Sequence, residues 1–200
     1  DHAVWQQPHA HYKSDTLIGS DQDNISQWVD SSGNNRHMIQ STPSSQPILR
    51  VLPPYELPTD NNRCVEFTGS QFLSHALSPN GYIEDWGFEM IVVVKPTDSS
   101  GTQGIMSLQS NNQAGHNYVT LRYTNDNSYI SSAQNLSQTY TYTQMDQFQV
   151  HGAAYASRDS NILFHNLVED EDNVVSTTSR ASEYFPYDLI SVGKYQHKGT

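Results

Sequence analysis

Ile25-Ser26-Gln27-Trp28-Val29-Asp30-Ser31-Ser32-Gly33-Asn34-Asn35-Arg36-His37-Met38-Ile39-Gln40 is the stretch whose reading decides the fold. A short run holding Ile25 and Trp28 enters a turn of Asp, Ser, Gly and Asn, and an alternating run from His37 to Gln40 leaves it. That order is strand, tight polar loop, strand. An Asp at position 30 can accept the backbone N–H groups that follow it, while Gly33 and Asn34 are residue types that tolerate positive φ. Trp28, Asp30, Gly33 and Asn34 therefore form an expected structural turn motif, with the Asp30 carboxylate holding the turn rather than a metal ion.

Working outward, the same alternation recurs. Ile48 to Leu52 reads as a short strand ended by Pro53-Pro54, and Arg63 to Phe67 and Phe72 to His75 as strands around a turn at Gly69. Pro79-Asn80-Gly81 is a strong turn signal. Phe88 to Lys95 is the most apolar run, with Val92, Val93 and Val94 in succession, and predicts a central strand buried on both faces. Gly104 to Leu108, Asn117 to Tyr123, Ser128 to Ser131 and Thr139 to Thr143 follow as strands, with a polar tip at Asn125-Asp126-Asn127. Phe148 to Tyr155 is expected to pair with Ile162 to Asn166, a longer turn to include Glu169 to Asn173, and Leu189 to Lys194 to be a late strand. Residues 1–24 read as a polar lead-in strand. No useful helical periodicity, heptad or internal repeat is present.

Three segments carry a family resemblance. Trp28, Asp30, Ser32, Gly33, Asn34, His37 and Gln40, then Val65 to Leu73, then Phe88 to Pro96, resemble the signatures of laminin-G-like, concanavalin-A-like (lectin-glucanase) jelly-roll modules, of the type found in bacteriophage structural proteins. Leu189 to Gly193 resembles the family's late I-x-[IV]-G strand. The resemblance implies an all-β fold, a two-sheet antiparallel jelly-roll sandwich forming one domain over residues 1–200. Turn spacing gives roughly 12 to 14 strands. The family's closing strand is not recognisable before Thr200, so it is expected beyond that residue or from a neighbouring chain.

Composition narrows the function. With 21 acidic against 10 basic residues the net charge is −11, which disfavours a phosphate backbone and anionic membrane surfaces as partners. Nucleic acid is excluded as an expected partner. No stretch approaches the ~18 to 20 apolar residues of a membrane span. The single cysteine, Cys64, rules out an intrachain disulfide and is expected to be a buried small apolar residue. The chain opens at Asp1 with no initiator Met or signal-peptide pattern, so residue 1 is expected to be a processing or cloning boundary.

Catalytic motifs are sparse. Glu84 to Glu89 has Trp86 where an E-x-D-x-x-E glycosidase motif needs its central Asp, and Glu169-Asp170-Glu171-Asp172 would scatter its carboxylates to both faces of a strand. Gln149-Val150-His151 matches a short Gln-[IV]-His motif of some alginate lyases, without the arginine-rich partner motif. His9 and His11 form a His-x-His pair with no third ligand nearby in sequence. No catalytic residue and no resident metal or other cofactor is expected, though Asp15, Asp21, Asp23, Asp30, Asp126, Asp170 and Asp172 supply the oxygen chemistry calcium uses.

Sugar recognition needs an aromatic face and nearby amides or carboxylates. Tyr140 and Tyr142, with Tyr129 and the Asn125, Asp126 and Asn127 tip, form the candidate glycan patch; packing between sheets or against a neighbouring subunit suits the same tyrosines. The expectation is a non-enzymatic virion surface or structural protein, a capsid-decoration or fibre module at the virion surface or otherwise extracellular, associating with other virion proteins or with itself as a homo-oligomer and touching host glycans. The alternatives are a secreted carbohydrate-binding or adhesion module of a larger bacterial protein and, third, a polysaccharide lyase or glycosidase.

Overall fold

The computed structural model describes residues 8–54, 62–77, 88–97, 103–109, 118–124, 128–133, 136–141, 146–157, 160–165, 168–169, 175–176 and 189–193. Among these residues the protein is all-β: its strand pairings are antiparallel, and two 3-10 turns, Ser14–Thr16 and Pro43–Ser45, are the only helical structure. No described helix is long and apolar enough to cross a membrane. The chain forms two compact units, residues 1–75 and 76–200.

In the first unit β1 (Gln27–Trp28) pairs with β2 (Met38–Ile39), and Ile39 of β2 stands opposite Ser74 of β5 (Leu73–Ala76). A separate pair joins β3 (Ile48–Val51) to β4 (Arg63–Glu66), where Cys64 is half-buried rather than fully enclosed. The core is Leu17, Ile25, Met38, Leu49 and Leu73. Two buried amides are hydrogen-bonded beside it: Gln40 Oε1 accepts the Thr42 amide at 3.0 Å and its Nε2 donates to Phe72 O, while Gln46 Nε2 donates to Gln40 O at 2.8 Å. Burial without such partners would cost each amide about 1–3 kcal/mol. The lead-in region departs from the continuous strand expected of it. Residues 8–24 run as a 3-10 turn and two single bridges, Tyr12 to Asp30 and Asn24 to Ile48.

In the second unit β6 (Phe88–Val94), β11 (Gln149–Ser157), β12 (Ser160–His165) and β13 (Val168–Glu169) make one sheet in the order β13-β12-β11-β6, with β14 (Val175–Ser176) also on β12. The order β15-β7-β8-β9-β10 describes the other, from β7 (Gln103–Gln109), β8 (Tyr118–Thr124), β9 (Ser128–Ala133), β10 (Leu136–Thr141) and β15 (Leu189–Val192). The faces of these two sheets meet where the Tyr123 ring stands edge-on to His151, centroids 5.8 Å apart.

One expectation is corrected here. The apolar run of β6 is not a central strand buried on both faces: among the described strands it ends its sheet, and Ile91 and Val93 are 51% and 59% exposed. A run of β-branched residues records fitness for a pleated strand, not the depth at which that strand lies. Of the turn expected to include Glu169 to Asn173, Glu169 pairs with Phe164 in β13, and residues 170–173 lie outside the described residues.

Candidate functional site

Asp30 organises the first unit. It is buried, and its two carboxylate oxygens accept the amides of His11 at 2.9 Å, Ser32 at 2.9 Å and Arg36 at 3.0 Å, with the Ser32 hydroxyl donating at 2.8 Å. Burial pushes the carboxyl up, but these donors outweigh it and hold the group at about 2. The amide of Asp30 itself donates to Nδ1 of His37 at 3.1 Å. Gly33 takes φ +87, as its type allows; the second left-handed residue of the loop is Asn35, not Asn34. Asn34 instead donates its side-chain amide to the carbonyls of Pro8 and His9 and to Ser32 Oγ.

The loop thereby seizes the lead-in segment. Ser31 N–H donates to His11 O at 2.7 Å, Arg36 Nη1 to His9 O, Tyr12 OH to Arg36 O at 2.6 Å, and Trp28 Nε1 to Lys13 O at 2.9 Å. Burial raises the Tyr12 phenol, and the Asp30 charge adds to the effect. Burial also lowers His9, assisted by the Arg36 guanidinium. Every oxygen of Asp30 is thus committed to protein donors. Asp21 Oδ1 accepts the Val51 amide and Asp23 Oδ2 the Ser20 amide. Among the described residues no group of three or more His, Cys, Asp or Glu side chains could hold a metal ion.

The glycan-patch residues lie in the second unit. Tyr129 on β9 stands opposite Tyr140 on β10, and also opposite Tyr123 on β8, so one register row crosses three strands. The next row is Thr124, Ser128 and Thr141, at the end of these strands. Asn125, Asp126 and Asn127, which follow Thr124, and Tyr142, which follows Thr141, lie outside the described residues. Tyr123 is the member of the row that motif reading overlooked. Its signal was symmetry: a hairpin centred on Asp126 pairs positions 123 and 129. Tyr123 is buried, 5% exposed, against His151.

The lyase-like pair has a different fate. Gln149 and His151 are 3% and 0% exposed, and Gln149 Oε1 lies 3.0 Å from His151 Nε2. These side chains are buried, bond to one another and lie beside Tyr123 through the His151 ring.

No protein-family model matches the chain, and no curated protein is significantly similar to it in sequence. Solved structures do match. A Trypanosoma rangeli sialidase mutant displaying trans-sialidase activity aligns over 94% of this chain and 29% of its own, at TM-score 0.57 and 11% identity. A structure of botulinum neurotoxin type C, whose uptake into cells depends on interaction with two ganglioside molecules, aligns over 94% of this chain and 45% of its own, at TM-score 0.51 and 10% identity. The botulinum neurotoxin serotype D ligand binding domain, in complex with N-acetylneuraminic acid, aligns over 90% of this chain and 43% of its own, at TM-score 0.51 and 15% identity. The chain spans less than half the length of each of these structures, and the likeness is one of fold.

Proposed function

We propose that this chain is a non-catalytic glycan-binding module with the two-sheet jelly-roll architecture, carried at the surface of a virion or of another extracellular assembly. The observation that carries the reading is the likeness in fold to a neurotoxin domain holding N-acetylneuraminic acid. Asn125-Asp126-Asn127, between β8 and β9 in sequence, supplies amides and a carboxylate, whereas Tyr129 and Tyr140 share the register row, and so the sheet face, of buried Tyr123. Amides and a carboxylate of this kind hydrogen-bond sugar hydroxyls. Two antiparallel sheets meeting at Tyr123 and His151 support the sandwich. The virion setting rests on the phage-like sequence signatures and on an acidic, disulfide-free composition.

A glycan array probed with the labelled protein, with and without calcium, tests the reading. The expected result is a defined set of glycans whose binding is lost in N125A/D126A/N127A with the fold retained by circular dichroism. No glycan above background in either condition overturns it. Native mass spectrometry of the protein from its source separates the settings: a closed oligomer of a longer chain fits a virion part, a lone chain a secreted module.

A further inference from the structure

We propose that the outer edge of β6 pairs with a second copy of this chain, antiparallel about a two-fold axis at Val92. Among the described strands β6 ends its sheet, and its seven residues pair with β11 from Gln149 opposite Val94 to Tyr155 opposite Phe88 without a bulge. Among the described strands it is therefore a long, regular edge. Natural edges are blunted by an inward charge, a proline or a bulge. Met90, Ile91, Val92, Val93 and Val94 contain none of these.

The exposure follows the same line. Met90 is buried, 3% exposed, whereas Ile91 and Val93 on the opposite face stand 51% and 59% exposed beside half-buried Val150, the register partner of Val93. Alternation gives β6 one side for its own sheet stack and one apolar side with solvent on it. A partner strand would cover part of that side while satisfying the edge.

Charge selects the partner as a second copy and sets the register. A two-fold axis through Val92 brings Ile91 opposite the partner's Val93 and Val93 opposite the partner's Ile91, β-branched pairs that suit a sheet. It also brings position 89 of each copy opposite position 95 of the other, a glutamate against a lysine at both ends. The Lys95 ammonium lies 5.8 Å from the Phe148 ring centroid, at the rim of this strand. The contact is isologous and closes after two copies. It does not depend on the glycan reading.

Sedimentation velocity over a concentration series tests it, with circular dichroism checking that each variant keeps its β content. The expected result is a monomer–dimer equilibrium that I91K/V93K abolishes. E89K, which sets lysine against lysine at both ends, should weaken dimerisation about tenfold, the sum of two cross-strand charge pairs. E89K/K95E should restore it. A protein that stays monomeric at every concentration, a dimer indifferent to I91K/V93K, or an E89K defect that the double reversal leaves in place each overturns the proposal.

Discussion

The Asp30 carboxylate accepts the backbone amide of His11, 19 residues upstream, at 2.9 Å, and so ties the lead-in segment to the loop it follows in space rather than in sequence. The same carboxylate caps Ser32 and Arg36. One side chain thus serves three backbone donors that would otherwise be buried or part-buried without an acceptor.

Asp30→Ala removes all of these acceptors together. Stability should fall by about 3 kcal/mol, since each amide deprived of a charged acceptor costs roughly 1–3 kcal/mol and the losses are not additive. Urea denaturation followed by tryptophan fluorescence, with Trp28 and its Tyr12 neighbour 5.8 Å away in the affected region, measures the change. An unchanged midpoint contradicts the role assigned to Asp30.

Acid should act through the same group. The folded carboxyl lies at about 2 against an ordinary 3.8, so its contribution is fully present above pH 4 or so and is lost as pH falls towards 2. That contribution is on the order of 2 kcal/mol. In Asp30→Asn the stability profile over this window should be flatter than in the parent chain by that amount, which denaturant midpoints at a series of pH values report.

His37 is held in one tautomer. Because the Asp30 amide donates to Nδ1, that nitrogen is the acceptor and the neutral ring carries its proton on Nε2. Nitrogen-15 chemical shifts of the ring, measured at neutral pH, should show the Nε2–H form; an Nδ1–H signature contradicts the bond.

Two glycines should respond differently to alanine. Gly19 has φ +139, and a Cβ there would lie 2.9 Å from Asp23 Oδ2 and 3.2 Å from Leu49 Cδ2, whereas a Cβ on Gly33, at φ +87, meets nothing within 4 Å. Gly33→Ala carries only the backbone strain, about 1 kcal/mol. Gly19→Ala adds a clash against a buried leucine and a carboxylate engaged with Ser20, and should cost about 2 kcal/mol or more. Thermal melts of the two variants rank them.

Reading the chain reached the local structure well and the distant partners poorly. An antiparallel all-β protein follows from alternation and from turn residues, because both act over a few positions of chain. The row joining Tyr123, Tyr129 and Tyr140 runs through two sequential hairpins and is itself local, whereas the contact of Tyr123 with His151, on a strand of the other sheet, appears only in the tertiary structure. The side of β11 that faces inward is a further case. Apolar Val150 is half-buried while Gln149 and His151 are enclosed, with Gln149 Oε1 3.0 Å from His151 Nε2 and Gln149 Nε2 donating to Gln147 O.

What the sequence by itself determined is therefore the local material: strands from β-branched and aromatic alternation, a turn from Asp30 and Gly33, and a net charge of −11. Only the tertiary structure decided that His11 completes the Asp30 site, that Arg63 donates to Leu17 O across the first unit at 2.7 Å, and that the valine run of β6 ends its sheet among the described strands with Ile91 and Val93 half-exposed. The physical reason is range. Turn and strand preferences are energies of neighbouring residues, whereas burial and long-range hydrogen bonds depend on which segments the whole chain brings together, a choice that no single stretch contains.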